Sequence, residues 1–333
     1  MTGPDALSHP KGAIDRRRDD AARAAWLYFV AGRTQDDIAR QLNVSRQAAQ
    51  RLVAQAVSER LVNFRIDHPI AWCAELAERL VERYSLEFCD VVPTDLAEPS
   101  SIRTIAVATA GRLNRIIASK APVILCVGTG RTLRASVDHL EEMDRPQHKV
   151  LSLVGNMAND GRASPYEVAM RIADRIGAQR YPLAAPVIAA SAEECAILQG
   201  LPTYQAVSRL YTEANVSFLG VSEVAWQSPL HRDGFASDLD IADLLNHGAV
   251  GELVGRSFDV AGKIVDCPTN RKVASLPLPV PPRHLTVISG GGPKKSLPIR
   301  AALEGRFANA LITDEQTAAM ILDAVQPELL SAE

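Results

Sequence analysis

Nowhere does this 333-residue chain approach the roughly 20 uninterrupted apolar residues that a membrane-spanning helix requires, and its first residues contain no apolar leader core. A cytoplasmic protein with no membrane partner is expected. Cysteine is sparse: Cys73, Cys89, Cys126, Cys195 and Cys267 are odd in number, far apart and set in apolar contexts such as "VILCVG". That usage predicts reduced, buried thiols, with neither a disulfide framework nor a zinc site, so no metal is expected. Internal repeats and low-complexity tracts are missing too. No Walker loop or complete dinucleotide fingerprint is present, and no cofactor is expected. Paired carboxylates with a histidine at a catalytic spacing are likewise absent, which weakens an enzymatic reading.

What is present is a globular composition, 47% hydrophobic and 23% charged, long enough for two domains. The net charge of −3 argues against a nucleic-acid partner until its distribution is considered. Residues 1–65 carry 11 Lys/Arg against 7 Asp/Glu, and the remainder 25 against 32, so a basic head precedes an acidic body.

The head contains "TQDDIARQLNVSRQAAQRLVAQA", residues 34–56, whose spacing predicts two short helices joined by a tight turn. Thr34 caps the first, with Asp37 completing a capping box, and Ile38 and Leu42 share one face. Asn43 tolerates the left-handed backbone that ends a helix, Val44 plugs the corner, and Ser45 caps the second helix. Leu52, Val53 and Ala56 give that helix a buried side. Ser45, Arg46, Gln47, Gln50 and Arg51 are left outward, where forked and amide side chains can reach base edges and phosphates in a major groove. Thr34 and Gln35, at the head of the preceding helix, join this candidate DNA-binding set. The competing reading is a solvated helical hairpin.

A first helix over about 19–31, ending at Gly32, brings Trp26, Leu27, Phe29 and Val30 as core beneath the second and third, and residues 1–18 are expected to be a mobile arm. "LVNFRIDHP", 61–69, alternates Val62, Phe64 and Ile66 with polar residues, as a strand or wing would, and Pro69 closes a head domain spanning 19–68. Residues 69–87 hold Trp72, Leu76, Leu80 and Tyr84 at helical spacing and are expected to dock on the body or on a second subunit. Over 88–328 apolar strands alternate with helices, predicting an α/β domain with a mainly parallel sheet covered on both faces.

Two strand-to-helix turns in the body carry ligand-binding chemistry. In "VILCVGTGRTL", Gly128 and Gly130 admit close approach of a ligand to the backbone, Thr129 and Thr132 offer hydroxyls, and Arg131 adds charge or stays solvated. "SGGGPKKSLPIRAAL" repeats the pattern with Gly290 to Gly292, Lys294 and Lys295, and Pro298 is acceptable in a helix's first turn. Converging at neighbouring strand ends, the two turns would favour a phosphate. Glu252, bracketed by glycines in "GAVGELVG" and followed by a hairpin through Ala261-Gly262, either binds ligand hydroxyls or is an exposed strand-edge residue. A third strand ends at Gly155 and Asn156. Ser164-Pro165-Tyr166-Glu167 reads as the capping box of the next helix, making Glu167 a cap rather than a catalyst.

Taken together, "DDIARQLNVSRQAAQRL", "VGTGRTL", "GAVGELVGRSFD" and "SGGGPKKSLPIRAALEGRFANALITDEQTA" resemble, in order and spacing, the SorC family of bacterial transcription regulators, the sugar-binding, DeoR-like type, over about residues 20–325. The resemblance implies a winged helix-turn-helix followed by a Rossmann-like effector domain similar to sugar-phosphate isomerases and deaminases, assembled as a homodimer or homotetramer. The family's phosphate loop falls on Gly128 to Thr132, its Gly-Gly-x-x-Lys lysine on Lys295, and its acidic residue on Glu252. Asn43 stands where a turn glycine is usual, and Asn156 and Met157 where more glycine is common. The expected partners are double-stranded operator DNA and a sugar or sugar-phosphate effector. The function implied is a regulator, a repressor in the first instance, of carbohydrate or polyol catabolism. The alternative is a sugar-phosphate isomerase or deaminase that uses Glu252 and Lys295 as acid and base and carries the head as an assembly module.

Overall fold

A computed structural model describes residues 13–62, 71–95, 98, 102–158, 161–162 and 167–323, and within this range the chain divides into two compact units, split between residues 68 and 69. The first unit is three helices, α1 Ala13–Phe29, α2 Gln35–Leu42 and α3 Arg46–Ser58. Its caps follow local chemistry. Thr34 and Asp37 form the reciprocal capping box of α2, Asn43 closes that helix at φ 54°, ψ 47°, and the Ser45 hydroxyl accepts from the Ala48 amide at the head of α3.

Three expectations for this unit need correction. Helix α1 begins at Ala13, inside the segment expected to be an arm, because its alanines and arginines favour helix without any apolar stripe. Residues 1–12 lie outside those described. Trp26, Phe29 and Val30 are exposed rather than core, and so is Val44 at the corner. The interior is built from small residues, Ala21, Ala24, Ala25, Ala39, Ala49 and Ala56, around Leu27, Ile38 and Val53. Alanines on facing helices let the backbones approach so closely that no room is left for an indole or phenyl ring. Leu61 and Val62 pack against the same interior, while the rest of the expected wing, Phe64 to Pro69, is outside the described residues.

The second unit opens with α4 Ala71–Tyr84, which leads into β1 Phe88–Val92, α5 Arg103–Ile117, β2 Ile124–Val127 and α6 Arg131–Val137. Next come β3 Lys149–Met157, α7 Val168–Arg175, β4 Gln179–Pro186, α8 Ala192–Gly200, α9 Pro202–Thr212, β5 Val216–Leu219 and β6 Val221–Glu223. The chain continues through α10 Pro229–Arg232, α11 Asp238–Asn246, β7 Gly251–Leu253, β8 Arg256–Phe258 and α12 Pro268–Arg271. It ends with β9 Leu285–Ser289, the short turn Pro293–Lys295, α13 Ser296–Glu304, β10 Ala310–Asp314 and α14 Glu315–Asp323.

Seven strands form a parallel sheet in the order β1-β10-β9-β5-β2-β3-β4. Strands such as "ILCV" and "VSFL" are apolar on both faces because each face carries its own apolar cluster. One contains Leu80, Leu151, Leu219 and Phe258, and the other Ile105, Leu125, Phe218 and Ile312. From β2 the chain moves one way along the sheet, to β3 and β4; from β5 it moves the other way, to β9 and β10. Ligands of open α/β sheets bind in the crevice at such a reversal, beyond the carboxyl ends of the strands. A small antiparallel sheet, β6-β7-β8, stands over that edge.

Helix α4 belongs to this unit. Cys73, Leu76 and Leu80 are buried on it, Arg83 pairs with Glu304 at 3.6 Å, and Trp72, expected on the apolar stripe, is exposed. The Glu167 cap is also corrected: α7 starts at Val168, so Glu167 is its first flanking residue and caps nothing, and Ser164 to Tyr166 lie outside the described residues. Pro298 sits in the first turn of α13, as expected.

Leu80→Ala should lower the unfolding free energy by about 2–5 kcal/mol, as full burial of its side chain requires. Urea unfolding of the whole chain measures this; a change within about 0.5 kcal/mol would mean that α4 is a linker and not part of the core.

Candidate functional site

In the first unit, residues 46, 47, 50 and 51 of α3 fall on one side of the helix, and all four are exposed, while Ala49, Val53 and Ala56 occupy the buried side. Arg46 is 3.6 Å from Asp36, but both side chains are mostly exposed, and such a pair contributes little and yields readily to a phosphate. Arg51 donates to the Gln47 carbonyl at 3.3 Å. Ser45 is exposed and accepts the α3 cap bond with its oxygen, which leaves its O–H to donate. Thr34 is different: its hydroxyl both accepts from the Asp37 amide and donates to the Asp37 carboxylate, so it serves the cap. Gln35 is half-buried beside it.

In the second unit the structure brings six of the nine expected effector residues to one cleft of about 50 Å³: Thr129, Gly130, Arg131, Gly155, Glu252 and Lys295. The turn after β2 presses against the end of β5. A Cβ on Gly220 would lie 2.2 Å from the Thr129 carbonyl oxygen, so only glycine fits there. Gly130 adopts φ 134°, also a glycine conformation, whereas a side chain at Gly128 would meet ordinary contacts. Gly155 lies at a register shift between β3 and β4, where a Cβ would come within 2.3 Å of the Ala185 carbonyl. Asn156 follows in the strand, its side chain outside the described part. Thr132 is buried beneath the loop and does not line the cleft. Both the Thr129 and Thr132 hydroxyls are buried without a hydrogen-bond partner, which leaves a desolvation penalty for a ligand oxygen or water to relieve.

Lys295 arrives from the third turn, which is anchored by the Gly292 amide donating to Asp314 at 3.2 Å and to Thr317 at 2.7 Å. Burial, reinforced by the Arg131 guanidinium, lowers the Lys295 pKa to about 8, against the attraction of Glu252 and Glu223. Burial raises the Glu252 pKa, opposed by the Gly255 amide, which donates to Oε2 at 2.8 Å, by Ser222 and by Lys295. Glu252 is therefore an inward residue of the small sheet, paired with Ser222 on one side and Ser257 on the other, and not an exposed strand edge. The two-residue turn behind it is Val254-Gly255, both at positive φ; the reversal at Ala261-Gly262 follows, closing a single bridge between Phe258 and Ile264.

Sequence reasoning missed Gly220 and Ser222, although a glycine after an apolar strand was the same signal as at 128 and 290. It also missed the wall formed by Pro229, Leu230, Asp233 and Phe235, which no local pattern marks. A larger cavity of about 480 Å³, lined by Tyr204, Arg256, Phe258 and Phe307 among others, contains none of the expected residues. Among the described residues no helix is long and apolar enough to cross a membrane.

Residues 68–323 match the family described as "Putative sugar-binding domain". The chain is 31% identical over 303 residues to the erythritol catabolism regulatory protein EryD of Brucella abortus (strain 2308), covering 91% of this chain and 96% of that one. It is 26% identical over 306 residues to the transcriptional regulator LsrR of Enterobacter sp. (strain 638), covering 90% and 92%. Its fold matches that of the full-length sorbitol operon regulator SorC from Klebsiella pneumoniae with a TM-score of 0.73 at 21% identity, over 94% of this chain and 99% of that one.

The half-buried, largely desolvated ammonium of Lys295 makes a pH prediction. Lys295 has a folded pKa of about 8 against 10.5 when free, so between these values the unfolded chain holds the extra proton and stability rises with pH. From pH 8 to 10.5 the parent should gain unfolding free energy relative to Lys295→Met, measured by urea titration at each pH; parallel profiles would contradict a buried amine.

Proposed function

The chain belongs to the sugar-binding-domain family of SorC-type regulators, and from this we propose that it is a DNA-binding transcription regulator whose operator affinity is set by a phosphorylated sugar or polyol. The observation that carries the ligand class is that Lys295, its pKa lowered by burial and by the Arg131 charge, shares the cleft with Arg131 and with the unpartnered Thr129 hydroxyl. A phosphate group would relieve both penalties, accepting charge-assisted hydrogen bonds from the cations and hydrogen bonds from hydroxyls and loop amides. Glu252 and Ser222 would then take the hydroxyls of the carbon chain. The name of the Brucella relative, an erythritol catabolism regulator, makes short polyols and their phosphates the first compounds to try.

The first unit supplies the DNA-reading part of the proposal. Its exposed Arg46, Gln47, Gln50 and Arg51 face, the capped turn before it and the basic balance of residues 1–65 support a winged helix-turn-helix, with double-stranded operator DNA as partner. A homodimer or homotetramer supplies paired recognition helices. Catalysis is not part of the reading. Glu252 already accepts the Gly255 amide on its Oε2, and the other carboxylate lining the cleft, Asp233, is engaged by Arg232 at 3.4 Å, so neither is set up as a free general base.

A cleft of about 50 Å³ is far below the roughly 300–1,000 Å³ of ligand sites, so an effector must move the wall at residues 229–235. Movement of that wall is the proposed link between effector and operator affinity.

A thermal-shift screen of phosphorylated and free sugars and polyols, followed by operator binding with and without the hit, tests the assignment. The effector should be recovered unchanged and shift operator affinity by about 5- to 150-fold, the range of an allosteric coupling of 1–3 kcal/mol. Steady turnover of the hit, lost in Glu252→Gln, with no effect on DNA binding would establish the enzyme instead. Lys295→Ala should weaken phosphorylated-effector binding by about 1.5–3 kcal/mol in calorimetry, and Thr129→Ala by less, with ligand-free DNA binding retained. For the head, Arg46→Ala or Gln47→Ala should lose about 1–3 kcal/mol of specific operator binding at matched salt while calorimetry gives unchanged effector affinity. Full operator affinity in both variants would remove this face from the interface.

A further inference from the structure

The cysteine spacing suggests no metal chemistry, yet the fold gathers a mixed ligand set away from the cleft. Asp243 and His247 lie one turn apart at the C-terminal end of α11, and Cys267 is the residue before α12. One potential ligand atom from each, a carboxylate oxygen, a ring nitrogen and Sγ, all fall within 4.8 Å of one another. We propose that these three side chains bind a thiophilic divalent cation of the zinc class, which ties the end of α11 to the loop before α12.

The surroundings are those of a prepared site. Asp243 Oδ2 accepts from the Thr269 amide at 2.9 Å and from the Thr269 hydroxyl at 2.6 Å, which fixes the carboxylate and leaves Oδ1 facing His247 Nδ1 at 3.2 Å. Cys267 Sγ accepts from the Asn270 amide at 3.5 Å, a donor that stabilises sulfur-borne negative charge. Asn270 is itself locked to the main chain of Ser257 and Val265 by bonds of 2.7–2.8 Å. Such outer hydrogen bonds hold ligands in place at metal centres. Cys267 is fully buried behind Asp243 and His247, while His247 is exposed, so a cation has an approach from solvent.

The chemistry balances simply. His247 Nδ1 lies 2.8 Å from the Asp243 carbonyl, a contact that it exchanges for the cation on binding. On binding, the thiol releases its proton to solvent, and the ring proton of His247 moves through water from Nδ1 to Nε2, so that Nδ1 presents a lone pair. Dication, carboxylate and thiolate then sum to zero. Sulfur, nitrogen and oxygen donors at bond lengths of about 2.0–2.3 Å suit Zn²⁺, with the fourth tetrahedral position open to water. Ligand atoms in such a site are about 3.5 Å apart, a small contraction from the present cluster.

The test uses the full-length protein, treated with chelator and titrated with Co²⁺. One equivalent should bind and give the near-ultraviolet thiolate-to-cobalt band, displaced by Zn²⁺, and Zn²⁺ should raise the melting temperature. Cys267→Ser should lose the band, and His247→Gln, an exposed change that leaves the core intact, should weaken binding by at least about tenfold. Absence of a stoichiometric thiolate-to-cobalt band in the parent, or its survival unchanged in both variants, would overturn the site; the other four thiols could produce only the latter result.

Discussion

The cleft rests on one steric constraint: the turn after β2 lies so close to the end of β5 that a side chain at Gly220 would collide with the Thr129 carbonyl. This contact joins the two strands between which the chain reverses its direction across the sheet. It holds the Gly128–Gly130 turn at the crevice, with Arg131 near enough to Lys295, beyond β9, for its charge to lower the lysine's pKa. Arg131 remains exposed to water, so the cost of the arrangement falls on Lys295, whose ammonium is largely desolvated. Parallel strands packed on both faces hold the turn that carries Lys295, so the core's rigidity keeps that ammonium desolvated.

The same arrangement explains how the proposed site would discriminate. Its cations favour an anion, while Glu252, held inward by the Gly255 amide, disfavours a second one nearby. A ligand with one phosphate and a hydroxylated chain matches that polarity, whereas a bisphosphate must meet the carboxylate. Phe235 and Leu230 close the remaining side with apolar surface, which excludes water and strengthens each polar contact. Because the segment carrying them leads directly into α11, the wall a ligand must displace and the helix that ends at His247 are one continuous stretch of chain.

Charge is divided between the two units in a way that suits different partners. The basic excess of residues 1–65 is available to a polyanion, while the net negative charge of the rest keeps the body from competing for DNA. In the head, specificity would rest on a few rigidly presented side chains. The caps at Thr34, Asn43 and Ser45 set the direction of α3, and an alanine-rich interior sets how closely it packs.

Local chemistry by itself determined the parts of this protein that depend on short stretches of backbone. The capping box, the left-handed Asn43, the outward face of α3, the apolar strands and the glycine turns at their ends were all legible, because each is fixed by neighbours a few residues away. What only the tertiary structure decided depends on partners far along the chain. The exposure of Trp26, Phe29 and Trp72 follows from how closely neighbouring elements pack, which no periodicity encodes. The inward position of Glu252 required β6 and β8 on either side of it, and the wall at residues 229–235 became part of the cleft only through the fold. Gly220 bears the same local mark as Gly128, yet the steric need for glycine is at 220, because there another backbone comes to 2.2 Å of a Cβ, whereas at 128 the nearest backbone atoms stand at an ordinary 3.5 Å.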